Sequence, residues 1–191
     1  MKLIASDLPG VVIIEPAVFG DDRGWFYESF NEPRFAAGLA ELGLPPAPGF
    51  VQDNHSCSKA GVLRGLHYQL PPQAQGKLVR VVQGAAWDVA VDIRPRSATF
   101  GRWFGLELSA DNKRQLWIPA GFAHGFVALQ DDTHFLYKTT DVWSKACERS
   151  LLWNDPAIAI AWPMPAGVRA PIVAPKDAAA PVLAKAELPA E

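Results

Sequence analysis

From Val51 onward the chain runs strand after strand in short apolar-rich segments, several of them alternating with polar residues: VLRGLHYQL, KLVRVVQG, AAWDVAVDIR, RWFGLELS, RQLWIP, HGFVALQ and HFLYKTT. The joints between them carry QG, RPRS, SADN, PAGF and QDDT, which are turn signals. Period-two patterning over four to eight residues predicts strands with one buried face. Upstream, LPGVVIIEPAVF, a GDDRG turn and WFYESF predict two further strands forming an N-terminal arm. A single helix is predicted between arm and strands: Asn31 caps it, Pro33 lies in its first turn, and Phe35, Leu39 and Leu42 recur at spacings of four and three. LGLPPAPGF ends that helix in a loop.

So many brief strands in a chain with seventeen prolines and fifteen glycines point to an all-β jelly roll or related barrel, whose interior can hold a small ligand. Doubly wound α/β is excluded for want of helices. There is no internal repeat, and 191 residues at 49% hydrophobic fit one domain over residues 1–191. Residues 178–191, the end of the Ala- and Pro-rich APKDAAAPVLAKAELPAE, read as a loose tail.

Composition narrows the partners. A net charge of −2 offers no broad basic field, so nucleic acid is not expected. No window approaches the roughly 18 apolar residues of a membrane span, and MKLIASDLPG lacks a signal-peptide core; no membrane association and a cytoplasmic location are expected. Cys57 and Cys147 form no CxxC motif and read as free thiols.

The stretch GVLRGLHYQLPPQAQGKL raises the question of chemistry, because it sets Arg64, His67 and Lys77 close together. In an ideal strand Arg64 and His67 have opposite parity, so both face one cavity only if the backbone is irregular at Gly65, as in a bulge. A neutral imidazole can abstract a proton near pH 7, and an ammonium can stabilise charge developing on a substrate oxygen. The plain alternative is a surface histidine beside solvated basic residues. WIPAGFAHGF supplies His124, and HFLYKTT puts Tyr137 on a strand face with Phe135 and Thr139, where a tyrosine is otherwise an ordinary core residue. In AAWDVAVDIR, Asp88, Ala90 and Asp92 share one face; two carboxylates there predict that this face lines a polar cavity, with Asp88 orienting a histidine, unless both lie in solvent. A metal-binding barrel is the rival reading, but His67 has no HxH partner and Lys77 stands where a ligand would be needed. No metal is expected.

Taken in order, RGWFYESF, QDNHSCSKAGVLRGLHYQ, KLVRVVQGAAWDVAVDIR, SATFGRW, WIPAGFAHGF, YKTTDVW and WNDP resemble the dTDP-4-dehydrorhamnose 3,5-epimerase family of sugar-nucleotide enzymes, from about Leu8 to about Ala180. The resemblance implies a cupin-type jelly roll with an N-terminal strand arm and one or two short helices, a homodimer, no cofactor, and a dTDP-linked 4-keto-6-deoxyhexose as substrate. It implies His67 as catalytic base, Tyr137 as acid, Asp177 as the carboxylate paired with the base, and Lys77 beside the ketone. Arg23, Glu28, Gln52, Asp53, Asn54, Arg64, His124, Glu148 and Lys176 match positions that contact nucleotide or sugar. Trp143 stands where the family usually has a tyrosine stacked on thymine, a task a tryptophan also performs. Arg23 and Arg64 suit the diphosphate, since guanidinium groups bind phosphate oxygens in bidentate fashion. Two other readings stay open: an epimerase acting at C3 or C5 alone, and a binding module that has lost its chemistry.

Overall fold

The structure is a computed structural model and describes residues 1–189. Two main sheets face each other. The first has the strand order β1 (Lys2–Ala5), β2 (Val12–Glu15), β10 (Gln115–Ile118), β7 (Lys77–Gln83), β12 (Thr133–Thr139) and β5 (Gln52–Ser58). In the second, β13 (Glu148–Ser150), β6 (Val62–Gln69), β11 (Phe122–Ala128), β8 (Ala85–Asp92) and β9 (Trp103–Ser109) run antiparallel, and β14 (Ile172–Val173) adds to β6 in parallel. The predicted arm is a separate hairpin of β3 (Val18–Asp21) and β4 (Gly24–Tyr27). The helix α1 (Glu32–Glu41) starts as expected, with the Asn31 side chain accepting the Arg34 backbone N–H. The jelly-roll expectation holds.

Alternation along the strands explains the layering. Val79 and Val81 of β7, Phe135 of β12, Ala86 and Ala90 of β8, and Phe122 and Phe126 of β11 meet between the sheets in one buried cluster. Phe126 and Phe135 stack with ring centroids 4.0 Å apart. On the outer face of the first sheet, Val12, Ile14, Leu78 and Trp117 take Phe35 and Leu39 of α1. On the outer face of the second, Leu66, Tyr68, Val89 and Val91 are covered by Leu151, Ile158 and Leu183. Each buried aliphatic or aromatic side chain contributes about 2 kcal/mol relative to exposure, so both outer covers add to the central core.

The second cover is made by residues beyond the last long strand. Asp155 accepts the Leu183 backbone N–H at 2.6 Å, the Tyr68 hydroxyl donates to the Glu187 carbonyl at 2.6 Å, and Arg149 pairs with Glu187 at 2.7 Å. Between them lie α2 (Pro175–Ala178) and a 3-10 turn at Leu183–Lys185. Residues 178–189 of the expected loose tail therefore pack along the barrel; residues 190–191 lie outside the described residues.

Asp92 departs from the cavity-lining expectation. It shares the inward parity of Asp88 but sits at the strand end, where it accepts hydrogen bonds from Arg94, Ser97 and Thr99 and closes the RPRSAT loop. Burial alone would raise its carboxyl, yet these donors outweigh it and bring it down to about 2.

Candidate active site

The open interior holds a cavity of about 610 Å³ between the ends of β5, β6, β7, β11, β12 and α2. Arg64 and His67 both line it, and the register shows how. His67 pairs with His124, whereas Arg64 pairs with Phe126, so three steps on β6 oppose two on β11. That bulge reverses the parity of β6 at Gly65, whose φ is +118°. A Cβ at Gly65 would stand 2.6 Å from the Gly125 Cα and 2.7 Å from the His124 carbonyl oxygen, so two glycines make the close crossing of the strands possible. Leu66 and Tyr68 consequently point to the outer cover while His67 and Gln69 point inward.

His67 Nε2 lies 2.7 Å from Asp177 Oδ1, and the other carboxylate oxygen accepts the Gly65 backbone N–H at 3.3 Å. β14 pairs with β6 at Val62 and Leu63 and so delivers α2, with a buried Asp177, beside the bulge. Burial pushes the Asp177 carboxyl up, but the His67 hydrogen bond and charge, the Gly65 N–H and Lys176 outweigh it and hold it below its usual range. An ionised carboxylate only accepts hydrogen bonds, so the imidazole proton belongs on Nε2 and the lone pair on Nδ1.

Lys77 shares the inward face of β7 with Val79 and Val81 and is buried, with Nζ donating to the His67 carbonyl at 3.0 Å. Burial brings its ammonium down to about 8, against the opposing pull of Asp88 and Glu148. Tyr137 comes from the neighbouring strand; burial raises its hydroxyl above the ordinary value, Glu148 adds to this and Arg64 opposes it. The phenol is therefore protonated at neutral pH.

Gln52, Asn54, His124, Trp143, Glu148 and Lys176 also line this cavity. Lys176 and Glu148 are 3.6 Å apart. The Trp143 backbone N–H donates to Gln52, and its half-exposed side chain stands at the mouth. Gln69, which no motif reading singled out, accepts the Ser144 N–H and donates to the Val142 carbonyl, and so pins the loop that carries Trp143. Its signal in the sequence was its parity with His67.

Three expected residues lie elsewhere in this chain. Asp53 faces outward on β5 and pairs with Lys138 at 2.8 Å. Glu28 binds Arg34 beside α1. Arg23 sits at the exposed tip of the arm with Asp21, and lines only a hollow formed by arm residues.

Among the described residues there is no group of three or more His, Cys, Asp or Glu side chains placed to hold a metal ion, and no helix is long and apolar enough to cross a membrane. The arrangement provides a base oriented by a carboxylate, a neutral acid, and a buried cation in one cavity. That set can move a proton to and from carbon beside an oxygen that gains negative charge.

Comparison with known proteins gives the family. The family model for dTDP-4-dehydrorhamnose 3,5-epimerase matches residues 5–185. The chain is similar to the dTDP-4-dehydrorhamnose 3,5-epimerase of Shigella flexneri, with 56% identity over 93% of each chain. It is similar to the enzyme of the same name from Salmonella typhimurium strain LT2, with 54% identity over 98% of each. Among solved structures, the dTDP-6-deoxy-D-glucose-3,5-epimerase of Legionella pneumophila Philadelphia 1 in complex with dTDP-4-keto-L-rhamnose superposes with a TM-score of 0.90 and 48% identity, over 100% of this chain and 98% of that one.

Proposed function

The chain belongs to the dTDP-4-dehydrorhamnose 3,5-epimerase family, and on that premise we propose that it inverts C3 and C5 of dTDP-4-dehydro-6-deoxy-D-glucose to give dTDP-4-dehydro-L-rhamnose. The observation that carries this reading is the convergence of the His67–Asp177 pair, Lys77 and Tyr137 on one cavity.

A ketone at C4 acidifies the hydrogens on C3 and C5, because the electron pair left on carbon delocalises onto oxygen as an enolate. His67 takes the proton through Nδ1, and Asp177 stabilises the imidazolium that results. Lys77 stabilises the enolate oxygen from its buried position on β7. Inversion then requires a proton on the opposite face of the ring, which Tyr137 delivers. The imidazolium then gives its proton to solvent and the tyrosinate regains one, so the same four groups serve both carbons, which flank one ketone. Arg64 and Lys176 supply cations for the diphosphate, Trp143 an aromatic face for the base, and Gln52, Asn54, His124 and Glu148 polar contacts to nucleotide or sugar.

The working form in this reading is a homodimer in the cytoplasm. Val18, Phe19, Trp25 and Phe26 stand exposed on the arm, an apolar patch of the kind that a partner surface covers. Arg23 on the same arm lies outside its own chain's cavity, so a substrate role for it requires the cavity of a second copy. Two free cysteines, one of them exposed, suit a reducing compartment.

The reading is tested by incubating the protein with dTDP-4-dehydro-6-deoxy-D-glucose in deuterated water and following label by NMR. Deuterium at both C3 and C5 with an L-configured product is expected. Label at one carbon would make it a single-centre epimerase, and no label a binding module.

A further inference from the structure

A second His–carboxylate pair lies across the strands from the first, and its carboxylate has no part in the mechanism so far. His124, the register partner of His67, places Nε2 2.7 Å from Asp88 Oδ1. Asp88 has no solvent exposure, and its Oδ2 is buried without a hydrogen-bond partner. An isolated buried carboxylate is among the most costly groups a core can hold, so the position calls for a compensating charge. The buried ammonium of Lys77 is the cation that acts on Asp88 and His124.

We propose that Asp88 is a positioning residue for the epimerisation: its Oδ1 fixes the His124 proton on Nε2, leaving Nδ1 as an acceptor for a sugar hydroxyl. This rests on the functional reading above. With Nε2 committed to Asp88, Nδ1 is the only ring nitrogen that His124 can offer to a ligand in the cavity it lines. Burial lowers the tendency of His124 to take a second proton, against the pull of Asp88, and the charges of Lys77 and His67 act in the same direction as burial. The ring is thus neutral at neutral pH and accepts a hydrogen bond where a charged ring would donate one. Lys77 is faced by the His67 carbonyl from β6, Asp88 from β8, His124 from β11 and Glu148 from β13. Of these, Asp88 and Glu148 favour its charged form, so removing the Asp88 charge makes the ammonium lose its proton at lower pH.

The test compares wild type with Asp88→Asn, which keeps the shape and removes the charge. Two readouts are used: the pH profile of kcat/KM for dTDP-4-dehydro-6-deoxy-D-glucose, and ¹⁵N NMR of the histidine side chains. Wild type is expected to lose activity as pH rises through about 8, with the loss of the Lys77 proton, and to carry the His124 proton on Nε2. In the variant the alkaline limb should move to lower pH by about one unit, kcat should fall roughly 10- to 100-fold, and the Nε2–H tautomer should no longer be held. A uniform loss of activity with both the limb and the tautomer unchanged would overturn the proposal and leave the epimerase reading standing. A wild type without turnover or deuterium exchange would overturn that reading, and the catalytic role of Asp88 with it. Should Asp88→Asn fail to fold, the wild-type spectrum decides, because a proton on His124 Nδ1 contradicts the assignment.

Discussion

At the scale of the residue, the two groups proposed to handle protons differ in what they owe to their surroundings. His67 owes its orientation to a carboxylate from another element, whereas Tyr137 keeps its proton as any phenol does at neutral pH, and burial only adds to this. His67→Ala should abolish deuterium exchange at both carbons, a loss of at least about 10²-fold; exchange persisting at either carbon would show a different base there. Tyr137→Phe separates the steps. Wash-in of solvent deuterium at the face served by His67 should continue, while net inversion slows by about 10²-fold or more. Equal slowing of both would reduce the phenol to a packing role. Neither effect should come with a large loss of stability, since His67 borders the open cavity and Tyr137→Phe keeps the ring that packs against the central cluster.

At the scale of the element, the joint between β6 and α2 governs the site. A chain ending after Ala174 lacks the Asp177 carboxylate and the Leu183 cover, whereas Asp177→Asn lacks only the charge. Both should turn over at least about 10²-fold more slowly, and only the truncated chain should also lose several degrees in Tm. A fully active truncated chain would make the segment dispensable. Elements differed in how far the sequence disclosed them. Strands with one apolar face, such as β7 and β12, were legible from alternation, and so was the need for an irregularity at Gly65. β5, QDNHSCS, gave no such signal, because both of its faces are polar: Gln52, Asn54 and Ser56 line the cavity, while Asp53 and Cys57 stand outside. The end of the chain looked loose because its anchors are backbone groups, the Leu183 N–H and the Glu187 carbonyl, and main-chain partners leave no compositional trace. The family resemblance named His67, Lys77, Tyr137 and Asp177, which the fold brings to one cavity. It could not show that Arg23, Glu28 and Asp53 stand outside this chain's own cavity.

At the scale of the whole molecule, the exposed arm bears on assembly. Phe26→Glu puts a charge into its apolar patch and should convert a dimer into a monomer in sedimentation; a wild type that sediments as a monomer would remove the homodimer from the reading. The distance along the chain between the base and its orienting carboxylate has another consequence. Asp177 follows His67 by 110 positions, and all the long strands precede it. On the ribosome, the barrel and its polar cavity are therefore made before the group that aims the base. A nascent chain halted short of Asp177 would hold the strands of the vessel and an unaimed imidazole, so the order of synthesis puts the vessel before its aim.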